Sequence, residues 1–177
     1  MTMDDLSGRK ALIKAAGLKK GRVLDVGLGN CGCMSFFLAK MGFNVIGIDH
    51  STKAVHVSRN KSKNKNFKGT FEGRLADAEK LPFAKNEFDA VSAYHSTHHM
   101  KNVQKGIDEM FRVCKEDGLI LISDLNDDGR KEYEHKPDNG KFLEKLEGAL
   151  AKHTNRIRKI KTKHNMLFIC SKGRKSK

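Results

Sequence analysis

Short apolar runs alternate along this chain with longer stretches in which apolar residues recur every three or four positions. The short runs predict buried strands, and the longer stretches predict amphipathic helices. A glycine-rich turn over 27–32 follows the first strand, and Asp49 ends the second. Strand, glycine turn, helix, strand and acid in this order are half of a doubly wound α/β sheet that binds nucleotides. The predicted helices cover 4–16, 35–41, 54–64, 102–115 and 141–152, and the predicted strands cover 22–26, 44–48, 67–73, 87–94, 119–123, 154–161 and 165–171.

Length and composition predict one domain of 177 residues with a complete core. No apolar run approaches membrane-spanning length and the N-terminus has no signal-peptide pattern, so we expect a cytoplasmic protein without a transmembrane segment. The formal net charge of +14 favours an anionic partner such as nucleic acid, or else reflects a lysine-rich solvated surface. No acidic residue occurs from 152 onward, and we expect 173–177 to be a basic, disordered tail.

The cysteines all lie in predicted elements that are apolar or rich in glycine. This placement suits reduced thiols that serve as small core residues. Two of them stand one residue apart, which is not the spacing of a zinc knuckle, and no second pair resembles it. The sequence therefore predicts free thiols and no metal site. The cysteines are Cys31, Cys33, Cys114 and Cys170.

The turn sequence, Gly-Leu-Gly-Asn-Cys-Gly over 27–32, fits a dinucleotide-binding loop, so NAD and S-adenosylmethionine compete as its ligand. Asp25 precedes the turn, and we expect its side chain at the mouth of the first strand. A carboxylate there repels the pyrophosphate of NAD and attracts the cationic ammonium and sulfonium groups of S-adenosylmethionine. Asp49 lies about 20 residues beyond the glycines, where a carboxylate grips a ribose diol. Together the two acids favour S-adenosylmethionine.

The residues around this turn resemble the first motif of class I S-adenosylmethionine-dependent methyltransferases, hydrophobic-Asp-x-Gly-x-Gly-x-Gly. Cys31 stands where that motif has its third glycine. The resemblance covers nearly the whole chain and implies a methyltransferase domain over 1–172. The implied α/β fold is a Rossmann-like three-layer αβα sandwich. Its seven-stranded sheet is mostly parallel, with an antiparallel C-terminal strand and the order 3-2-1-4-5-7-6.

The resemblance also implies a set of cofactor contacts. The segment 75–83 resembles the one after strand three in these enzymes, where an Asp-Ala pair meets the adenine. The carboxylate of Asp77 and the N–H of Ala78 match the amine donor and ring-nitrogen acceptor of adenine, although a helix N-cap also explains Asp77. The predicted contacts are Asp25, Gly27 and Gly29 at the methionine end, Asp49 at the ribose, His50 at the adenine face, Asp77 and Ala78 at the adenine edge, and also Leu28, Asn30 and Tyr94.

A stretch rich in histidine, 94–99, follows the fourth strand, at the sheet edge where open α/β folds bind ligands. It resembles the small-molecule methyltransferases of ubiquinone and menaquinone biosynthesis, which carry a Leu-His-His-type stretch at this point. Imidazole, which titrates near pH ~6.5, suits a general base if the acceptor must lose a proton. The alternative is that one or two of these histidines cap the next helix or face water, and we favour a site role for His95. The predicted catalytic residues are Tyr94, His95, His98 and His99.

These features predict transfer of a methyl group from S-adenosylmethionine to a small-molecule acceptor by in-line displacement. We expect the N-terminal helix, the polar loop 124–140 acting as a lid, or the second subunit of a dimer to hold the acceptor. The stretch 93–96 lacks the prolines of enzymes that methylate exocyclic amines. Two alternatives remain open. One is an RNA methyltransferase or RNA-binding protein that uses the basic edge 152–177, and the other is a non-catalytic protein with a cofactor site degenerate at Cys31.

Overall fold

The computed structural model describes residues 6–173, in which strands and helices alternate along the chain. The strands are β1 (Arg22–Val26), β2 (Asn44–Asp49), β3 (Thr70–Leu75), β4 (Phe88–Tyr94), β5 (Cys114–Leu125), β6 (Ile157–Lys161) and β7 (Asn165–Ser171). The helices are α1 (Leu6–Ala16), α2 (Cys33–Lys40), α3 (Thr52–Ser62), α4 (Val103–Val113), α5 (Asp127–Glu132) and α6 (Lys141–Ala151), with a single 3₁₀ turn over Thr97–His99.

All seven strands form one sheet in the order β3-β2-β1-β4-β5-β7-β6. The pairs from β3 across to β5 are parallel, whereas β7 runs antiparallel to both β5 and β6. The predicted fold class and strand order are therefore confirmed. β1 lies at the centre because it pairs with both β2 and β4, and the chain changes direction across the sheet at this point.

Two apolar layers, one on each face of the sheet, make up the core. α1 and α2 pack on one face through side chains that include Leu12 and Leu38, both fully buried. α4 and α6 pack on the other face through side chains that include Ile107 and Leu146, which are also fully buried. Helices on both faces leave the ends of the parallel strands as the accessible edges of the sheet, and ligands of such folds bind at the carboxyl ends.

One segment differs from its predicted structure. The predicted loop 124–140 contains the end of β5 and the whole of α5. The Asn126 side chain caps this helix by accepting a hydrogen bond from the N–H of Gly129 at 2.9 Å. Acidic residues occupy the first turn of α5 and basic residues the last, which favours the helix dipole. The prediction of a plain loop overlooked this cap, because the surrounding composition is polar throughout.

Smaller differences concern element boundaries. The strand predicted from residue 67 begins at Thr70, and the helix predicted to reach residue 115 ends at Val113, where β5 begins directly. The predicted helix over 4–16 is confirmed from Leu6 onward, while residues 4 and 5 and most of the predicted tail lie outside the described part of the chain. Among the described helices, none is long and apolar enough to span a membrane.

Candidate active site

The glycine turn connects β1 to α2 and touches the segment that follows β4. The N–H groups of Gly27 and Leu28 both donate to the carbonyl of Ile48 in β2, at 2.9 and 3.0 Å. Gly27 has a φ of +97°, and a Cβ at this position would overlap the side chain of Ser96. The Ser96 hydroxyl donates to the Val26 carbonyl at 2.6 Å. Only glycine fits here, and the turn is held between β2 and the 94–99 stretch.

The next residues of the turn divide into a buried anchor and an open rim. The Leu28 side chain is buried and packs where Gly47 and Gly73 leave room in the sheet. Gly29 is exposed with a φ of +55°, and a Cβ built on it meets no atom within 4 Å. Asn30 is exposed, and its carbonyl accepts a hydrogen bond from the Lys61 side chain at 2.9 Å. The backbone at Gly29 and Asn30 is therefore accessible to a ligand.

Asp25 is not at the mouth of the strand, where the sequence analysis expected it. Its side chain is buried beneath the turn, and its two oxygens accept hydrogen bonds from the hydroxyls of Ser35 and Ser92. Burial raises the pKa of Asp25 to about 6, although these hydrogen bonds and the charge of Arg9 oppose the rise. The side chain points inward because β1 is a central strand covered by helices on both faces. Asp25 thus ties α2 and β4 to β1 from below.

Asp49 lies at the carboxyl end of β2, beside the open rim of the turn. One carboxylate oxygen accepts from the N–H of Gly29 and the other from the N–H of Ser51, each at 2.9 Å. The neighbouring His50 side chain is 83% exposed, and its Nδ1 atom lies 3.6 Å from the Asp49 carboxylate. The structure therefore places Gly29, Asp49 and His50 beside one another, with Asn30 next along the turn.

The adenine-edge pair lies next to this group. The N–H of Ala76 donates to the carbonyl of Asp49 at 3.0 Å, which fixes the segment after β3 against the end of β2. Asp77 is exposed, and its carboxylate accepts from the N–H of Glu79 at 2.8 Å. Asp77 thus stabilises its own turn, while Ala78, one residue along, stays partly exposed. The Asp77 carboxylate has further lone pairs with which to accept hydrogen bonds from a ligand.

His95 adopts a φ of +52°, in the left-handed region that few non-glycine residues occupy. Its N–H donates to the carbonyl of Ser123 at 2.8 Å, and its ring Nε2 lies 2.6 Å from the side-chain oxygen of Asn165 in β7. The Tyr94 ring lies 4.5 Å from the His95 ring, centre to centre, and Tyr133 packs on the other side at 6.2 Å. His95 is therefore fixed by β5 and β7.

His98 forms a buried pair with Asp124, the last acid of β5. The ring Nδ1 lies 2.6 Å from a carboxylate oxygen, and the two side chains are 9% and 0% exposed. Asp124 also accepts hydrogen bonds from the Thr97 hydroxyl and from the N–H of Leu125. Burial acts to raise the pKa of Asp124, but the hydrogen bonds and the charge of His98 outweigh it and hold that pKa below its ordinary value. Among the described residues, the Nε2 atom of His98 is buried without a hydrogen-bond partner.

Two further imidazoles surround His98. The ring centres of His99 and His135 lie 4.0 and 5.2 Å from that of His98, and the Phe142 ring lies 6.2 Å away. Burial lowers the pKa of both His99 and His135, and the neighbouring His98 lowers it further. His50 also lowers the pKa of His99, which links this cluster to the Asp49 side of the cleft. Between residues 6 and 173, no group of three or more His, Cys, Asp or Glu side chains is arranged to hold a metal ion.

Three residues of this site were missed from the sequence: Asp124, His135 and Asn165. Asp124 carried a usable signal, because it ends an apolar strand just as Asp49 ends β2. His135 and Asn165 carried none, since only the folding of α5 and the β6–β7 hairpin brings them to the cleft. The expectation of free thiols is confirmed for Cys114 and Cys170 but is wrong for the remaining pair, which forms a disulfide within the glycine turn.

Several basic side chains of the C-terminal edge contact other parts of the fold. Lys159 of β6 pairs with Glu147 of α6 at 2.7 Å, and Arg158 donates to the carbonyl of Ala15 in α1 at 3.2 Å. Lys172 lies among Asn86, the Cys114 carbonyl and Glu116. These contacts give several of the basic residues a structural role, so the charge by itself does not indicate a nucleic-acid site.

Comparisons with known proteins agree with this geometry. The Methyltransferase domain family matches residues 24–122, more than half of the chain. The chain is 31% identical over 126 residues to the ubiquinone/menaquinone biosynthesis C-methyltransferase UbiE of Citrifermentans bemidjiense, covering 69% of this chain and 53% of that protein. It is also 31% identical over 119 residues to the demethylmenaquinone methyltransferase of Renibacterium salmoninarum, covering 67% of this chain and 47% of that one. The chain thus spans about half the length of these relatives.

The fold agrees as well. A solved S-adenosylmethionine-dependent methyltransferase from Aquifex aeolicus superimposes with a TM-score of 0.79 at 23% identity, covering 94% of this chain and 93% of that one. At this identity the likeness concerns the fold. The family match includes the glycine turn, the acid that ends β2 and the histidine stretch, and it ends before Asp124, His135 and Asn165. The chain belongs to the class I S-adenosylmethionine-dependent methyltransferases.

Proposed function

We propose that this protein transfers a methyl group from S-adenosylmethionine to a small-molecule acceptor by in-line displacement, and that His98 removes a proton from the acceptor. The observation that carries the proposal is the buried pair of His98 and Asp124, in which the second ring nitrogen of His98, Nε2, is buried and lacks a partner among the described residues. A buried polar atom without a hydrogen bond costs free energy, so such an atom in a cleft marks a group held ready for a ligand.

The cofactor site fits S-adenosylmethionine because the turn is open above Gly29 and carries a carboxylate at its rim. Asp49 would hold the ribose hydroxyls, while the exposed backbone of Gly29 and Asn30 would meet the methionine end. Asp25 supports the turn from beneath through its serine contacts and does not face the ligand. The remaining proposed contacts are Gly27, Leu28, His50, Asp77, Ala78 and Tyr94.

Bound S-adenosylmethionine supplies an electrophilic methyl group on a cationic sulfur. The protein must then align the acceptor with that methyl group and exclude water. The lowered pKa values of His99 and His135 keep both rings neutral near pH 7. Neutral rings do not repel the cationic cofactor, and the rings of His135 and Phe142 form an aromatic wall around His98.

His98 is oriented as a base by its buried partner. Because Asp124 is held ionised, its oxygen accepts the hydrogen on Nδ1, and a neutral ring then presents a lone pair at Nε2. This arrangement favours His98 over His95, whose Nε2 atom is already bonded to Asn165. The base takes a proton from an acceptor hydroxyl or acidic carbon, and Asp124 stabilises the imidazolium that forms.

The names of the relatives support a small-molecule acceptor, because UbiE and the demethylmenaquinone methyltransferase are both quinone-pathway enzymes by name. A quinol or phenol carries a hydroxyl whose deprotonation activates the ring, which is the step that His98 is placed to assist.

Cofactor binding is tested by calorimetric titration of S-adenosylmethionine into the wild type and the Asp49→Ala variant. We expect the variant to bind at least about tenfold more weakly, because hydrogen bonds to a charged group contribute ~1.5–3 kcal/mol. The matched control is Asp117→Ala, which removes an exposed acid from the opposite edge of the sheet and should leave affinity unchanged. Equal affinities in all three proteins would contradict the site.

The base is tested with tritiated S-adenosylmethionine and a panel of hydroquinones, catechols and phenols. His98→Gln and Asp124→Asn should each lower the turnover number by about 10²–10⁴, the usual contribution of a general base, while cofactor affinity stays within about twofold. The control is His153→Gln, which changes a histidine just after α6 that pairs with Asp108 of α4. Full activity in His98→Gln would exclude this residue as the base.

A further inference from the structure

The glycine turn contains a disulfide that methyl transfer does not use. Cys31 and Cys33 are bonded to each other, and their Cα atoms lie 5.1 Å apart, within the range that such a bond spans. Gly32 between them has a φ of +61°, a left-handed conformation that allows so tight a ring. We propose that this pair is a reversible thiol–disulfide switch on the proposed cofactor site, in which the bonded form binds S-adenosylmethionine more weakly than the reduced form.

The pair differs from the other cysteines in its access to reagents. Cys31 and Cys33 are both partly exposed, whereas Cys114 and Cys170 are buried. Burial also raises the pKa of each buried thiol to about 12, so neither forms a thiolate near neutral pH. Cys33 is the first residue of α2, where unpaired N–H groups stabilise a thiolate. Oxidation and reduction should therefore be confined to the turn.

The disulfide acts on the same backbone that the cofactor must contact. In the bonded form, the N–H of Gly29 donates to Asp49, and the N–H of Gly32 donates to the carbonyl of Leu28, both at 2.9 Å. Asp49 accepts one hydrogen bond on each oxygen and keeps lone pairs for a ribose, but the Gly29 N–H is occupied and is not available to the methionine end of the ligand.

Release of that N–H requires rotation of the backbone between Gly29 and Gly32. The ring closed by Cys31 and Cys33 includes the end of this segment and restricts its dihedral angles. With two free thiols the turn can rearrange, so that the Gly29 N–H and the Asp49 oxygen both face the ligand. The switch thus works through the freedom of the turn, and the thiols need not touch the ligand.

The chemistry needs only a disulfide compound as oxidant. The thiolate of one cysteine attacks a sulfur of oxidised glutathione, whose S–S bond breaks and releases one glutathione thiol. The second cysteine attacks the resulting mixed disulfide, which forms the Cys31–Cys33 bond and releases the second glutathione. The protein loses two electrons and two protons, and both glutathione molecules leave reduced. A dithiol reagent reverses the reaction.

The test is a titration of S-adenosylmethionine into the wild type after incubation with dithiothreitol and, separately, with oxidised glutathione. Mass spectrometry of the peptide that contains Cys31 and Cys33 reports the redox state independently of any ligand. We expect at least about fivefold weaker binding in the oxidised protein, the low end of typical couplings between sites. The double variant Cys31→Ser/Cys33→Ser, which has no thiol in the turn, should bind with the same affinity in both buffers.

The outcomes separate this inference from the proposed function on which it rests. Equal affinity of the reduced and oxidised wild type overturns the switch and leaves the cofactor site intact. Tighter binding by the oxidised form, or equal redox sensitivity in the double variant Cys31→Ser/Cys33→Ser, also overturns it. Failure of the wild type to bind in either state contradicts the proposed cofactor site itself, and the switch fails with it.

Discussion

Replacement of Asp25 by asparagine should change how the stability of the protein depends on pH. The carboxyl group is buried with 1% of the residue exposed, between the hydroxyls of Ser35 and Ser92. An amide has the same shape, and because each hydroxyl can both donate and accept, the two hydrogen bonds can be kept. The substitution therefore removes the ionisable group with little change in packing.

The direction of the pKa shift determines whether Asp25 makes the protein more or less stable as the pH rises. Burial raises the pKa of Asp25 from 3.8 to about 6 in the folded protein. Between these two pH values the folded state keeps a proton that the unfolded state has lost, so the stability that Asp25 contributes falls as pH rises through this window. The change amounts to about 3 kcal/mol in total, at ~1.4 kcal/mol for each pH unit between the two values. Below about pH 4 the buried carboxyl group costs the folded state no stability, and above about pH 6 the full loss of stability is present.

The assay is urea denaturation of the wild type and of Asp25→Asn at several pH values, because subtraction of the two curves cancels every other titrating group. The wild type should lose roughly 2–3 kcal/mol of stability relative to the variant between about pH 4.5 and pH 8. Asp117→Asn, an exposed change on the same sheet, should show no such trend. If the difference in the free energy of unfolding between the wild type and Asp25→Asn stays constant with pH, the pKa of Asp25 is not raised by burial and the argument is refuted.

Three further predictions concern the turn, α5 and the histidines. Gly27→Ala should destabilise the fold by about 3 kcal/mol in urea denaturation, because its φ of +97° is strained for alanine and the new Cβ overlaps a serine. Asn126→Ala should increase hydrogen exchange over α5 while the midpoint of global unfolding shifts little, because it removes the helix cap and two hydrogen bonds to the hairpin. Affinity for S-adenosylmethionine should fall once the pH drops below the ordinary imidazole range, because His99 and His135, whose pKa values burial lowers, become cationic only there; calorimetry on the double glutamine variant should show a smaller decrease.

The parts of the fold that were predictable are those in which local pattern and tertiary structure agree. The runs that became β1, β2 and β4 are buried along nearly their whole length, and apolar residues predominate in them, so the pattern is clear. Gly27 was predictable because a strand followed by a glycine turn admits few geometries. α5 was not, since its stability depends on one capping side chain and on the hairpin against which Asn126 is held.

The candidate site was predictable only to the level of its loops. Sequence placed the 94–99 stretch at the cleft, but it did not distinguish one histidine from the next, because the distinction lies in partners from distant strands. His95 meets Asn165 of β7, and His98 meets Asp124 of β5. The role of Asp25 was misjudged for a related reason. Its position along β1 was clear, while the direction of its side chain depended on which face of the sheet α2 covers.

The sheet topology therefore decides which of the two histidines, His95 or His98, has a carboxylate partner. β7 runs antiparallel beside β5, and this places the start of β7, at Asn165, next to the end of β5. The amide of Asn165 engages His95, whereas the carboxylate of Asp124, held ionised by its hydrogen bonds, engages His98. An amide partner fixes a ring without favouring its protonated form, but a carboxylate partner stabilises the imidazolium that proton transfer creates. The residue with the carboxylate is consequently the better base, although both lie on the same short stretch of chain.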